Sequence, residues 1–240
     1  MPRHEPTWIP SERFDEAFAH ARRLHRSQSR KTAASDGGEA PPGAPYIGHL
    51  LSVAGIVIDH GGTETQAIAG LLHDSIEDTE ADSEEKLAAL VGAEVAAIVR
   101  ACTDVDDPDQ KDREKALCTC RRADAWWDRK RAYLAHLAAK TMDDPSVLVA
   151  LADKVHNAET TASGLGGSPA ADRAVFWSRF NTGAWHQQLW YRGLVEAFAT
   201  NKDHGADTAA LHARLARAVD TMFALSPAPA SPPECPDHRD

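Results

Sequence analysis

A chain of 240 residues, 42% of them hydrophobic and 26% charged, carries enough apolar material for one domain with a buried core. Its formal charge of -10 argues against broad attraction to nucleic acid or an anionic membrane, so an anionic ligand would need a local cation. The first residues lack a basic stretch followed by an apolar one, and nothing approaches the ~18 uninterrupted apolar residues of a membrane span, so a cytoplasmic protein is expected.

Alanine is abundant, aromatic residues are 6%, and alternating Val, Ile, Thr and Tyr runs are scarce, so the expected fold class is all-α, a single helical bundle. Residues 1–10 read as an extension, 11–225 as the domain, and the Pro-rich 226–240 as a disordered tail. In chain order, residues 11–27 place Phe14, Phe18, Ala21 and Leu24 on one helical face with Ser11 as a candidate N-cap. The Gly- and Pro-rich segment 27–45 forms a long loop bearing Arg30 and Lys31. From residue 46 to 59 apolar side chains cover much of the circumference, which predicts a largely buried helix stopped by Gly61-Gly62.

Thr63 and Gln66 have the spacing of a capping box, so a further helix starts there and runs through Ile68 and Leu71 into an acidic cluster. Residues 83–90 and 93–102 predict two helices divided near Gly92, with Leu87, Leu90, Val95, Ile98, Val99 and Cys102 inward. The charged segment 104–128 has no clear period, whereas 127–140 regains helical spacing through Tyr133, Leu134 and Leu137. Pro145 suits a first helical position, ahead of an apolar helix over 147–158 that carries one polar stripe. The aromatic-rich 174–200 and the amphipathic 208–223 complete the helices. Cys102, Cys118, Cys120 and Cys235 form no CxxC pair, so reduced thiols are expected rather than a zinc site.

Chemistry concentrates in His73-Asp74-Ser75-Ile76-Glu77-Asp78. At about 100° per residue along a helix, His73 and Glu77 share one column and Asp74 and Asp78 the next. A His-Asp pair alone is a weak signal, since a solvated helix end can carry one. Here the pair follows the apolar run Ala67 to Leu72, and a charge emerging from a core helix needs a partner. His49 and Asp153 lie on two other predicted core helices, so two histidines and two aspartates make a candidate divalent-metal site.

Three ordered segments, Tyr46-Ile47-Gly48-His49, Leu71 through Thr79, and Leu151-Ala152-Asp153-Lys154-Val155-His156-Asn157, resemble the motifs of the Rel/SpoT-type HD hydrolase domain. With no synthetase region following, the chain is similar to the small alarmone hydrolases. The resemblance implies an HD-type bundle and one Mn²⁺ held by His49, His73, Asp74 and Asp153, with Glu77 and Asp78 positioning and deprotonating the attacking water. It also implies contact of Asn157 with the nucleoside, of Arg30 and Lys31 with base and phosphate, and of Lys130 with the diphosphate, with Tyr191 a further substrate candidate. The substrate implied is (p)ppGpp or (p)ppApp, cleaved to pyrophosphate and a nucleoside 5′-di- or triphosphate, as in the stringent response. From the residues alone, Arg129-Lys130-Arg131 fits an exposed helix face equally well, and Trp and Phe at helical spacing are more often core than base platforms. Two alternatives share the ligand set: an HD phosphohydrolase for NADPH or deoxynucleotide monophosphates, and a nucleotide sensor without turnover.

Overall fold

The computed structural model describes residues 5–30, 43–78, 82–104, 110–141, 143–180, 182–200 and 206–231. Among these there is no strand. The helices are α1 (Glu12–Leu24), α2 (Ile47–Asp59), α3 (Glu64–Leu72), α4 (Ser75–Asp78), α5 (Glu84–Val91), α6 (Ala93–Cys102), α7 (Gln110–Lys115), α8 (Thr119–Ala139), α9 (Ser146–Gly167), α10 (Arg173–Phe176), α11 (Gly183–Ala199) and α12 (Ala206–Leu225), with 3₁₀ turns at Ala170–Asp172 and Trp177–Arg179. No described helix is long and apolar enough to cross a membrane.

The chain divides into two compact units. The first comprises Met1–Gln28, Pro45–Thr103 and Pro145–Asp153; the second comprises Ser29–Ala44, Asp104–Asp144 and Lys154–Asp240. In the first unit, α2 and α3 supply Leu50, Val53, Val57, Ile68, Leu71 and Leu72, none of them accessible to solvent. Each such side chain contributes about 1.5–3 kcal/mol by leaving water. The two helices meet at Gly70, where an added Cβ would stand 3.2 Å from Ala54 Cα. That approach brings the N-terminal part of α2 and the C-terminal end of α3 into one region.

The capping box forms as the sequence predicts. Thr63 Oγ1 accepts from the Gln66 N–H and Gln66 Oε1 accepts from the Thr63 N–H. Gln66 Nε2 also donates to the Pro145 carbonyl at 3.0 Å, which ties the start of α3 to the residue before α9. Gly61, at φ 76°, terminates α2 in the left-handed region open to glycine.

Several expectations change. Ser11 precedes α1 but makes no side-chain cap; its N–H instead donates to Glu64 Oε1 at 2.6 Å. Leu90 is only partly buried, unlike its neighbours Leu87 and Val95. Pro145 stands one residue ahead of α9 rather than within it. The run from Ala67 to Asp78 is not one helix: α3 ends at Leu72, His73 and Asp74 form a turn, and α4 starts at Ser75. The charged segment with no clear period holds α7 and the first turns of α8, and α9 runs nine residues beyond Ala158.

In the second unit, Leu137, Leu165, Phe198, Leu211 and Leu215 are inaccessible to solvent. Trp177 stacks flat on Phe223 with centroids 5.8 Å apart, and its Nε1 donates to Ser226 Oγ at 2.9 Å. Trp177, Phe176 and Trp190 are thus core residues, as helical spacing of aromatics suggests.

Candidate metal centre

Three helices of the first unit bring its donors together. His49 lies near the start of α2, His73 follows α3, and Asp153 lies on α9; all three are at least 95% buried. One ligand atom from each lies within 4.8 Å of the other two. His49 Nε2 is 3.2 Å and His73 Nε2 3.5 Å from Asp153 Oδ1. The fourth expected ligand joins them, with Asp74 Oδ2 3.0 Å from His73 Nε2 and 3.5 Å from His49 Nε2. The two imidazoles pack edge to face, centroids 5.0 Å apart.

The donor chemistry fits a cation. His73 Nδ1 is 2.9 Å from the Gly70 carbonyl, and a carbonyl can only accept, so Nδ1 carries the proton and a neutral ring turns its Nε2 lone pair to the cluster. Nε2 is buried and makes no hydrogen bond among the described residues, although two carboxylate oxygens lie nearby. Lone pairs facing carboxylates repel unless positive charge lies between them.

The electrostatics agree. Burial pushes the His73 pKa down, but Asp74 and Asp153 outweigh it and hold the group well above the ordinary histidine range. Burial pushes Asp74 up, yet the His73 charge and the His49 hydrogen bond hold its carboxyl well below the ordinary range. The cluster thus favours a positive charge among its carboxylates, supplied by a proton on His73 or by a divalent ion that displaces it.

Tyr46, to which sequence reasoning gave no role, is part of this centre. Its hydroxyl donates to Asp74 Oδ2 at 2.6 Å. Its spacing of three residues before His49 places it beside that ligand, the one signal in the sequence that could have found it. Glu77 is half-buried on α4, and the Asp78 backbone closes that helix, while the Asp78 side chain lies outside what is described.

The remaining candidates belong to the second unit. Arg30 Nη2 donates to Asn157 Oδ1 at 2.9 Å and to Thr160 Oγ1 at 3.3 Å, so the expected base contact and nucleoside contact are joined. Thr160, three residues past Asn157 on α9, was missed, although that spacing puts both on one helical face. Tyr191 is buried, with its hydroxyl 3.4 Å from Thr161 Oγ1. Burial holds the nearby Arg179 guanidinium down at about 10, against the raising effect of Tyr191 and with a further lowering by Arg30. Arg179 stands over Phe176, its Cζ 3.4 Å from the ring centroid. Lys31 lies outside the described residues.

Lys130 is not on an open face. It is ion-paired with Asp104 and stands 4.6 Å over the Trp190 ring, while Arg129 reaches Asp104 at 3.1 Å and Glu114 at 3.1 Å. Burial pushes the Asp104 carboxyl up, but Lys130 and Arg129 more than offset this and hold it at about 2. Cys102 is buried and Cys118 half-buried, while the Cys120 side chain and Cys235 lie outside what is described.

Known proteins carry related sequences. A probable guanosine-3′,5′-bis(diphosphate) 3′-pyrophosphohydrolase of Synechocystis is 35% identical over 144 residues, 60% of this chain and 16% of the relative. A GTP pyrophosphokinase of Myxococcus xanthus is 34% identical over 164 residues, 66% of this chain and 19% of the relative. This chain therefore spans less than a fifth of those two proteins. A guanosine-3′,5′-bis(diphosphate) 3′-pyrophosphohydrolase of Danio rerio is 35% identical over 144 residues, 59% of this chain and 65% of that protein. Among solved structures, a metazoan ortholog of SpoT described as hydrolysing ppGpp superposes with a TM-score of 0.58 at 24% identity, covering 89% of this chain and 97% of that one, a likeness of fold. A Listeria monocytogenes protein superposes with a TM-score of 0.57 at 26% identity, covering 75% and 99%. The HD domain family is matched over residues 17–175, more than half of the chain and inclusive of all four candidate ligands, and this chain belongs to it.

Proposed function

We propose that the chain is a metal-dependent hydrolase that removes the 3′-pyrophosphate from an alarmone nucleotide, (p)ppGpp or (p)ppApp, releasing pyrophosphate and a nucleoside 5′-di- or triphosphate. The observation that carries this reading is the buried convergence of His49, His73, Asp74 and Asp153 in an HD-family chain similar to (p)ppGpp 3′-pyrophosphohydrolases. Two imidazoles and two carboxylates suit Mn²⁺ or a similar ion, which when bound acidifies water and polarises a phosphoryl oxygen.

The chain's own residues do the rest. Glu77, with Asp78 beside it, takes a proton from the water that attacks the 3′-linked phosphorus. The bond from that phosphorus to O3′ breaks, the two phosphates leave joined, and O3′ is protonated. Asn157, four residues after Asp153 on α9, contacts the nucleoside, and the Arg30 guanidinium that it anchors packs on the base. Lys31 is assigned with Arg30 to the base and phosphate, Lys130 to the diphosphate, and Tyr191 to a further substrate contact.

The test is a product screen. Purified protein with Mn²⁺ is offered ppGpp, pppGpp, ppApp, NADPH and deoxynucleotide monophosphates, with pyrophosphate and orthophosphate measured separately. Pyrophosphate from an alarmone supports the proposal. Orthophosphate as the primary product, or turnover confined to NADPH or deoxynucleotides, overturns it.

A further inference from the structure

Asp74 is the least constrained of the four candidate ligands. It lies outside any helix, in the turn between α3 and α4, and its side chain is more exposed than those of His49, His73 and Asp153. Regular backbone and core packing therefore do little to choose its rotamer, yet one oxygen, Oδ2, faces both histidine Nε2 atoms. The same oxygen accepts the Tyr46 hydroxyl proton at 2.6 Å, a short bond of the kind made to an ionised carboxylate.

The phenol is itself held from several sides within the first unit. Its ring stacks on the buried His25 imidazole, centroids 5.2 Å apart and planes inclined by 26°, and meets the His49 ring edge on at 5.4 Å. Its backbone N–H donates to the Gln28 carbonyl at 3.0 Å. The Gln28 side chain in turn takes the proton of His25 Nδ1 at 2.6 Å. Backbone, glutamine, histidine and tyrosine ring thus close a circuit whose free end is the hydroxyl on Asp74.

We infer that Tyr46 is a positioning residue for the metal centre, fixing the Asp74 carboxylate through its hydroxyl, with His25 and Gln28 as the brace that aims it. The inference rests on the metal-centre reading but not on the identity of the substrate. A hydrogen bond to a ligating carboxylate governs its orientation and basicity, and losing such a partner weakens metal binding by about ten- to a hundred-fold.

The test measures metal affinity without any nucleotide. Metal-free wild type, Tyr46→Phe, Asp74→Asn and the double variant are titrated with MnCl₂ by calorimetry, with circular dichroism recording helix content before metal is added. Phe keeps the ring and its stacking, so Tyr46→Phe should retain native helix content while its Kd for Mn²⁺ rises ~10- to 100-fold. On the Asp74→Asn background the same change should add no more than about twofold, because the partner is already altered. A Kd for natively folded Tyr46→Phe within twofold of wild type overturns the inference. So does a loss that adds in full to that of Asp74→Asn, which would place the tyrosine's effect elsewhere. If wild type binds no Mn²⁺, the metal-centre reading fails instead, and if all variants bind as inferred while no alarmone is cleaved, only the substrate assignment fails.

Discussion

Replacing Asp104 by Asn probes the charge network of the second unit with a perturbation of nearly constant shape. Asp104 has a side chain 3% exposed and accepts from both Arg129 and Lys130. Its carboxyl is held at about 2, against an ordinary 3.8, so ionisation is favoured by nearly two pKa units in the folded state. At 1.36 kcal/mol per unit that is about 2 kcal/mol of stability. The depressed pKa sets the sign. The contribution is complete above the unfolded value, from about pH 5 upward, and is lost as pH falls towards the folded value, with roughly half gone by pH 3. Five of the six tryptophans belong to the second unit, so urea unfolding followed by tryptophan fluorescence reads that unit. Asp104→Asn should be less stable than wild type by about 2–4 kcal/mol at pH 7, the upper figure reflecting two buried cations left with a weaker partner. The gap should shrink by ~1 kcal/mol at pH 3. A gap absent at pH 7, or constant from pH 7 to 3, would falsify the assignment of that stability to the Asp104 carboxylate.

His73→Ala and Asp153→Ala should each lose both bound metal and alarmone hydrolysis; stoichiometric Mn²⁺ by elemental analysis, with full turnover, would remove either residue from the ligand set. Glu77→Gln should retain metal while hydrolysis slows by ~10² or more, since the amide preserves shape without the basic oxygen. Metal lost in proportion to activity would make Glu77 a ligand instead. Gly70→Val should lower the melting temperature by the equivalent of about 1–3 kcal/mol, because the first added atom already meets Ala54 Cα at 3.2 Å and the branches must push α2 and α3 apart. An unchanged melting temperature would show that the helices are not held at that distance.

The candidate metal centre was legible in the sequence because its candidate ligands stand out against their surroundings. His49, His73 and Asp153 interrupt apolar helices, and a polar group there needs a reason. What escaped were features decided by partners far along the chain. Nothing near Asp104 announces Arg129 and Lys130, some 25 residues away, and the start of α8 is too polar to show a core-facing period. The extension of α9 past Ala158 runs against local preference, through Thr160, Thr161, Gly164 and Gly166. It is held by the buried Leu165, and it tolerates Thr160 because that hydroxyl bonds back to the His156 carbonyl at 2.8 Å. The break at His73-Asp74 has no Gly or Pro to mark it. It coincides with the two residues whose side chains must turn towards His49 and Asp153.

An acidic chain can still gather cations locally, and the second unit does so around Asp104. An anionic nucleotide approaching a protein of charge -10 meets a repulsive field at long range, which salt screens beyond about 10 Å. At short range, Arg129 pairs with Asp104 and Glu114, Lys130 pairs with Asp104, and Lys154 adds to the positive charge that holds the Asp104 carboxyl down. Lys130 and Lys154 also stand over the same Trp190 ring, at 4.6 and 5.8 Å from its centroid. The phosphate contact proposed for Lys130 would not require the Asp104 pair to break, because an ammonium carries three donors and the carboxylate holds it in place through one.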